Sequence, residues 1–351
     1  VIRFVCLCLA LLFFSPEPCE AGVKPATLLY NATTGETLHS YRADAPHPPA
    51  SLTKVMTTFL VFDALAEGRL NWDTPVDVPL EATQLQNVKI GYAHGECVRL
   101  KDVLYAAIVC SANDAAAALA HHVAGSEEAF IRRMNEKAQA LGMTQTKFYN
   151  PHGLPHPQQT SSARDLLTLS MALIDAHPEY YSMFSTPHYS YKNRKFKNTN
   201  KFLYDGSGVD GIKTGFVNAS KYNIIVSRVV NGERLIAVVL GEPTSIHRSA
   251  KVTKLLGVKP RVSSTAPKAV GLQKTAKVQV GAFKSRSLAE KYAKQLQRAY
   301  GKEVKPLKRY HIYKKNGTYK LLFGPIKSGR AVDTCHKLKQ RNVECFVLDR
   351  S

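Results

Sequence analysis

Pro48-Pro49-Ala50-Ser51-Leu52-Thr53-Lys54 runs straight into Val55-Met56-Thr57-Thr58-Phe59-Leu60-Val61-Phe62-Asp63-Ala64-Leu65, whose apolar residues are spaced as on a helix buried on most of its sides. Such a helix cannot lie on a surface, so the rest of a domain has to be wrapped around it. With the helix beginning near Pro49 or Ser51, positions three apart share a face. The hydroxyl of Ser51 can then meet the amine of Lys54. A lysine that is partly desolvated beside a second cation holds its proton weakly and can serve a serine as base without a histidine. Alone the Ser-x-x-Lys spacing is a weak signal, because an N-cap serine followed by a solvent-reaching lysine produces it too.

A chain of 351 residues that is 44% hydrophobic holds two or three domains and a sizeable core, which excludes disorder throughout. Arg3, the apolar run Phe4 to Phe14, Pro16, Pro18 and the small-residue end at Ala21 read as a secretory signal over residues 1–21. The run is too short to cross a membrane as a mature helix, and an uncleaved interfacial anchor is the alternative. Outside that segment stand Cys97, Cys110, Cys335 and Cys345. Four are too few for a disulfide scaffold; Cys97 with Cys110 and Cys335 with Cys345 either pair or remain free buried thiols.

The charge is concentrated at one end. From Val258 to Ser351 there are 23 Lys and Arg against 5 Asp and Glu, so this segment carries +18 of the chain's +21. Outside the cytoplasm, that charge suits an anionic polymer such as cell-wall material, or a weak association with anionic lipid, better than nucleic acid.

Thr27 to Tyr30 and Thr37 to Tyr41 read as a hairpin at a sheet edge, and Leu100 to Val109, Ala115 to His122 and Glu127 to Leu141 as helices. Phe148 to Pro157 reads as a rigid surface loop; its His152 and His156 have no third partner at metal-ligand spacing. Ser162 and its neighbours cap a helix running through Ile174. Val209 to Gly241 is sheet, with a strong hairpin turn at Asn231-Gly232, and Ser245 to Leu256 is a closing helix. Residues 258–273 lack apolar periodicity and form a linker between a domain at 22–257 and another at 274–351. The second domain follows the order β-α-β-β-α-β, an α+β unit of ferredoxin or RNP type. An RNA-recognition module shares that order and needs exposed sheet aromatics, for which Tyr310, Tyr313, Tyr319 and Phe323 are the candidates.

Three motifs stand in series: Ser51-Leu52-Thr53-Lys54, Ser111-Ala112-Asn113 and Lys213-Thr214-Gly215. Together they form the set of penicillin-interacting serine enzymes. With the runs Ala50 to Thr57, Asn150-Pro151-His152-Gly153-Leu154 and Gly208 to Gly215, residues 22–257 resemble a D-alanyl-D-alanine carboxypeptidase of the low-molecular-mass penicillin-binding protein type. Residues 274–351 resemble a SPOR domain, a peptidoglycan-binding module of division sites, through Val278-Gln279-Val280-Gly281-Ala282-Phe283, Ala289 and Leu322-Phe323-Gly324-Pro325.

The resemblance implies a mixed α/β catalytic domain of β-lactamase/transpeptidase type, an antiparallel sheet with helices on both faces. It implies that Ser51, activated by Lys54, attacks the penultimate D-alanine of a peptidoglycan stem peptide. Ser111, with Lys213 beside it, passes a proton to the departing residue, and Asn113 binds the substrate amide. The N–H groups of Ser51 and Phe216 form the oxyanion hole. Thr214 and Arg248 hold the terminal carboxylate, and Gly215 lets substrate approach its strand. No cofactor and no metal are implied. β-Lactams become covalent inhibitors, and glycan strands the partner of the second domain. The location is across the inner membrane, periplasmic or wall-associated, at the division site. A DD-endopeptidase shares every catalytic residue; a β-lactamase would need an added carboxylate, for which Glu127, Glu128 and Glu136 are the sequence candidates. Val217 and Lys221 stand where family members often carry threonine and glycine.

Overall fold

The computed structural model of the protein describes residues 23–86, 88–258, 275–300, 310–315, 317–339, 341 and 343–349. The expected signal, 1–21, and the expected linker beyond Val258 lie outside the described residues. The chain divides into two compact units, residues 1–264 and 265–351.

In the first unit, strands β1 (Ala26–Asn31) and β2 (Glu36–Tyr41) form the opening hairpin. A 3-10 turn at Ala50–Thr53 then leads into helix α1 (Lys54–Ala66). The short strands β3 (Pro75–Asp77) and β4 (Cys97–Arg99) pair around helix α2 (Leu80–Gln84). Helices α3 (Leu100–Val109), α4 (Asn113–Ala124), α5 (Glu127–Ala140), α6 (Ala163–Ala176) and α7 (Pro178–Tyr181) follow. A hairpin of β5 (His188–Tyr191) and β6 (Arg194–Lys197) precedes strands β7 (Val209–Val217), β8 (Lys221–Val230) and β9 (Glu233–Glu242), and helix α8 (Ser245–Leu256) closes the unit.

The main sheet has the order β2-β1-β9-β8-β7, with every neighbour antiparallel. Asn231 (φ 51°) and Gly232 (φ 84°) supply the two positive-φ residues that a tight hairpin turn between β8 and β9 requires. Alternation along the strands divides the apolar side chains between two cores. Leu28, Ile225, Ile236 and Val238 face the core that surrounds α1, while Leu29, Ile224, Val226 and Val239 face Val252 and Leu256 of α8. Val258, expected to open the linker, packs in this second core. Helix α1 is buried around its circumference, Phe59 and Phe62 included, and each such ring contributes about 1.5–3 kcal/mol by leaving water. Its N-terminal end meets β7 and β8, so whatever the 3-10 turn carries is presented beside the exposed edge of the sheet.

The second unit consists of β10 (Thr275–Phe283), α9 (Arg286–Tyr300), β11 (Tyr310–Lys315), β12 (Thr318–Lys327), α10 (Ser328–Lys339) and β13 (Phe346–Asp349). Its antiparallel sheet has the order β11-β12-β10-β13, the expected β-α-β-β-α-β arrangement. Val278, Leu321 and Phe323 pack against Ala293, Leu296, Ala331 and Leu338 of the two helices. The four aromatics do not form an exposed platform. Phe323 is in the core with Tyr310 against it, and the register Lys314 to Tyr319 puts Tyr319 on the same face, leaving Tyr313 exposed on the other. Cys335 and Cys345 form a disulfide; Cys97 and Cys110 are both free, the one exposed and the other buried.

Candidate active site

Three pieces of chain close on the turn that carries Ser51. Asn223 of β8 donates from Nδ2 to the carbonyls of Pro48 (3.0 Å) and Pro49 (3.4 Å), while its Oδ1 accepts from the N–H of Gly241 (2.9 Å). One side chain thereby ties the turn to two strands. Gly215 lies so near that a Cβ there would stand 3.0 Å from the Pro49 carbonyl oxygen and 3.2 Å from the Ser51 nitrogen. Gly215 has no room for a side chain against the turn. Gly153, at φ +83°, approaches from the other side, and a Cβ there would collide with the Ala50 carbonyl.

The Phe148–Pro157 stretch is a surface loop only in its second part, where Pro155 and Pro157 are exposed. Phe148, Asn150, His152 and Gln159 are buried. Its polar residues fold it from within: Asn150 Oδ1 accepts from Gly153 N–H at 2.7 Å, and Gln159 Oε1 accepts from the N–H groups of Tyr149 and Asn150. The Nδ1 atoms of His152 and His156 accept from Leu154 and Gln158 N–H, which commits them to turns. Burial, with Lys54 nearby, drives His152 down to about 3, so its ring is neutral at ordinary pH.

Lys54 is the centre of the site. Its Nζ is 3.3 Å from Ser51 Oγ, 2.7 Å from Asn113 Oδ1 and 2.6 Å from the His152 carbonyl oxygen. Burial is the main cause that holds its amine well below the usual lysine range; Lys213 adds to the effect and Asp114 opposes it. Proton accounting then gives the arrangement its chemistry. A neutral amine has two N–H donors and one lone pair. The His152 carbonyl can only accept, and Asn113 presents its amide oxygen because Nδ2 is turned to Gln86 O at 3.3 Å. Lys54 Nζ stands as donor to all three partners; once the amine has lost a proton, its two remaining N–H groups suit these two acceptors and the lone pair can take the proton of the Ser51 hydroxyl. The 3.3 Å separation is of the kind that tightens when substrate arrives.

Ser111 lies in the turn between α3 and α4 at φ +60°, a conformation costly for a residue with a side chain. Asn113 is the first residue of α4, not a loop residue, and its N–H donates to Val88 O at 2.9 Å. Lys213 is buried on β7, within electrostatic reach of Lys54, Cys110 and Arg248. Burial is the main cause that brings it down to about 7; Cys110 opposes the shift and Arg248 adds to it. Thr214 donates to Thr199 Oγ1 at 2.6 Å. Phe216, half exposed on the edge strand, packs at a tilt against Tyr222 with ring centroids 4.4 Å apart. Arg248 is buried, contrary to a helix-surface placement, with Nε unpartnered among the described residues and its other contact a long 3.5 Å to Asn223 O. Burial depresses its guanidinium as well.

A sequence profile of the D-alanyl-D-alanine carboxypeptidase family matches residues 17–244, well over half of the chain. This chain belongs to that family. A SPOR domain profile matches residues 272–349. The chain is similar to the D-alanyl-D-alanine carboxypeptidase DacD of Escherichia coli, 37% identical over 250 residues, which cover 69% of this chain and 64% of that protein. It thus spans a little under two thirds of that relative's length. Among solved structures, penicillin binding protein 6B of Escherichia coli has a TM-score of 0.63 at 37% identity, covering 70% of this chain and 80% of that one. Penicillin-Binding Protein D2 of Listeria monocytogenes in its cefotaxime-bound form has a TM-score of 0.60 at 33% identity, covering 66% and 95%.

Three contributors to the site stand outside the three catalytic motifs. The His152 carbonyl acts through its backbone, Asn223 through a clamp from a distant strand, and Asp114 through a fully buried carboxylate that accepts from the N–H groups of Ile90, Gly91, Tyr92 and Ala115. Asp114 carries a sequence signal as the acidic residue in the first turn of a helix, and His152 lies in the run Asn150 to Leu154, which does not show that its backbone is what acts. Lys221, the first residue of β8, takes φ +55°, a conformation that suits glycine better than a residue with a side chain.

Proposed function

We propose that the protein is a serine-type D-alanyl-D-alanine carboxypeptidase acting on peptidoglycan stem peptides. The observation that carries this reading is the placement of Lys54 Nζ among the Ser51 hydroxyl, Asn113 Oδ1 and the His152 carbonyl, from which the amine, once deprotonated, can turn its lone pair to Ser51. Ser51 Oγ attacks the penultimate D-alanine carbonyl and its proton passes to Lys54. The tetrahedral oxyanion is held by the N–H groups of Ser51 and Phe216. The C–N bond breaks, Ser111 with Lys213 beside it delivers a proton to the departing D-alanine, and water then cleaves the ester to restore Ser51. Asn113 holds the substrate amide. Thr214 and Arg248 hold the terminal carboxylate, and the buried unpartnered Nε of Arg248 is the observation in favour.

β-Lactams acylate Ser51 in this reading and leave slowly. The three hydrogen-bond partners of Lys54 include no carboxylate, and Asp114 already accepts from four backbone N–H groups, so fast lactamase turnover has no evident base. The SPOR unit holds the enzyme to glycan strands, in the periplasm or wall at the division site. The test is intact-protein mass before and after incubation with penicillin, for the parent and for Ser51→Ala. An adduct on the parent alone supports the acyl-enzyme; intact penicillin with no adduct refutes it. Digestion of a pentapeptide beside a cross-linked dimer then separates carboxypeptidase from endopeptidase.

A further inference from the structure

Helix α9 turns one side inward and the opposite side to solvent. Ala289, Ala293 and Leu296 are buried, whereas Lys291, Lys294, Gln295, Arg298 and Ala299 are exposed and line a groove of about 610 Å³. Positions three, four and seven apart share a helix face, so the three cations form one patch within two turns. The one acid of this helix does not answer them, because Glu290 pairs with Arg286 at 3.0 Å. Lys291, Lys294 and Arg298 have no ion pair among the described residues. Like charges at these spacings repel and weaken the helix, a cost that an anionic partner would relieve. We infer that the outer face of α9 is a docking surface for a bilayer that carries anionic phospholipid headgroups. None of this depends on the chemistry at Ser51.

Charge alone would admit any polyanion, and Leu288 narrows the choice. It is half exposed and stands three residues before Lys291 on the same face. An apolar side chain gains from entering a membrane interface and gains nothing from a hydrated polysaccharide. The methylene stems of the lysines and the arginine can lie along the same boundary with their charged ends at the phosphates. At 15 residues α9 is about 22 Å long, enough to lie along a membrane surface and meet several headgroups. The face of the sheet that bears Tyr313 is on the side away from the helices, so lipid on α9 leaves it open to a glycan strand.

The experiment is co-sedimentation of the full chain with vesicles of mixed phosphatidylglycerol and phosphatidylcholine, and with vesicles of phosphatidylcholine alone. Binding should require the anionic lipid and weaken as salt is raised. Lys291→Glu, Lys294→Glu and Arg298→Glu together should lower the partition coefficient about 10²-fold. Leu288→Ser alone should lower it about threefold or more. A second triple variant, Lys24→Glu with Lys101→Glu and Lys254→Glu, makes the same change of charge at exposed positions of the first unit and should lower it by less than about threefold. All these substitutions are at exposed side chains, and calorimetry on the same samples should show both units folded. Equal losses from the two triple variants would reduce the binding to overall charge. Leu288→Ser without effect would leave a soluble polyanion as the partner, and a parent indifferent to phosphatidylglycerol would remove the bilayer altogether. Each of these three results overturns the inference.

Discussion

The carbonyl oxygen of His152 accepts from Lys54 Nζ across 2.6 Å, although 98 residues separate the two in sequence. This acceptor can never donate, so it fixes which way one amine proton points and helps to aim the lone pair at Ser51. Lys54→Met removes the lone pair and should lower acylation by penicillin about 10³-fold, the scale of a lost general base. Burst kinetics measure it. A fall of less than tenfold would mean that some other group takes the serine proton.

Lys213 should set the alkaline limb of the pH profile. Its amine lies at about 7, so its charge is lost as pH rises through neutrality, and attraction for a substrate carboxylate goes with it. For a peptide substrate, kcat/KM should fall above about pH 7. In Lys213→Arg the cation persists and the limb should vanish. The same group affects stability with a definite sign. Between about 7 and the ordinary lysine value of 10.5, the unfolded chain binds the proton that the folded one lacks. Stability should therefore rise with pH across that window, by about 1.4 kcal/mol per unit from this residue, and denaturant titrations of Lys213→Met should lose this share of the rise while the share from Lys54 remains.

Gly153 and Gly215 should respond differently to one added methyl. Gly153→Ala combines a positive φ with a collision against the Ala50 carbonyl, and neither backbone can yield, so a loss of more than about 3 kcal/mol is expected. Gly215→Ala meets Pro49 O at 3.0 Å and Ser51 N at 3.2 Å without a φ penalty. It should cost about 1 kcal/mol in stability yet slow acylation more than tenfold, because it displaces the serine relative to β7. Thermal unfolding with acylation rates on the same samples separates the two. Equal stability losses would show that the turn adjusts freely.

What the sequence made legible follows from range. Ser51 and Lys54 meet because residues three apart on a helical turn share a face, and the hairpins declare themselves by alternation and by Asn231-Gly232. The His152 carbonyl was hidden because a backbone acceptor has no side-chain signature. Prolines around it suggested a surface loop, whereas Asn150 and Gln159 satisfy its polar groups from within and permit burial. Asn223 looks like an ordinary strand residue until β8 and β9 are paired and the turn lies across them. Composition names aromatics but register decides their face, and it puts Tyr310 and Tyr319 on the side of Phe323. Likewise the helical segment of Arg248 left its burial open.

The Cys335–Cys345 disulfide should stabilise the second unit alone. It closes a short loop of sequence separation 10 between α10 and the stretch before β13, and loop-closure entropy assigns it about 2–3 kcal/mol. Reduction, or Cys335→Ala with Cys345→Ala, should lower the unfolding midpoint of the cationic unit and leave the penicillin-reactive unit unchanged. Calorimetry of the full chain, with penicillin added to mark the first unit, reads this. A shift of both transitions together would show that the units unfold as one.

Arg248 offers the sharpest test of how a terminal carboxylate is recognised. Its guanidinium is buried, its Nε has no partner among the described residues, and burial already weakens its hold on the proton. A buried cation left so poorly satisfied is a cost to the fold that a bound carboxylate would offset by a paired hydrogen bond. Arg248→Leu should therefore lower kcat/KM about 10²-fold for a peptide ending in a free carboxylate, through KM more than kcat. For the corresponding C-terminal amide the change should be no more than about threefold, since there is no charge to lose. Stability should hold or rise, because removing an unpaired buried charge relieves desolvation. Equal losses on acid and amide, or a marked drop in the unfolding midpoint, would make Arg248 a packing residue and leave Thr214 with Lys213 as the carboxylate's holders.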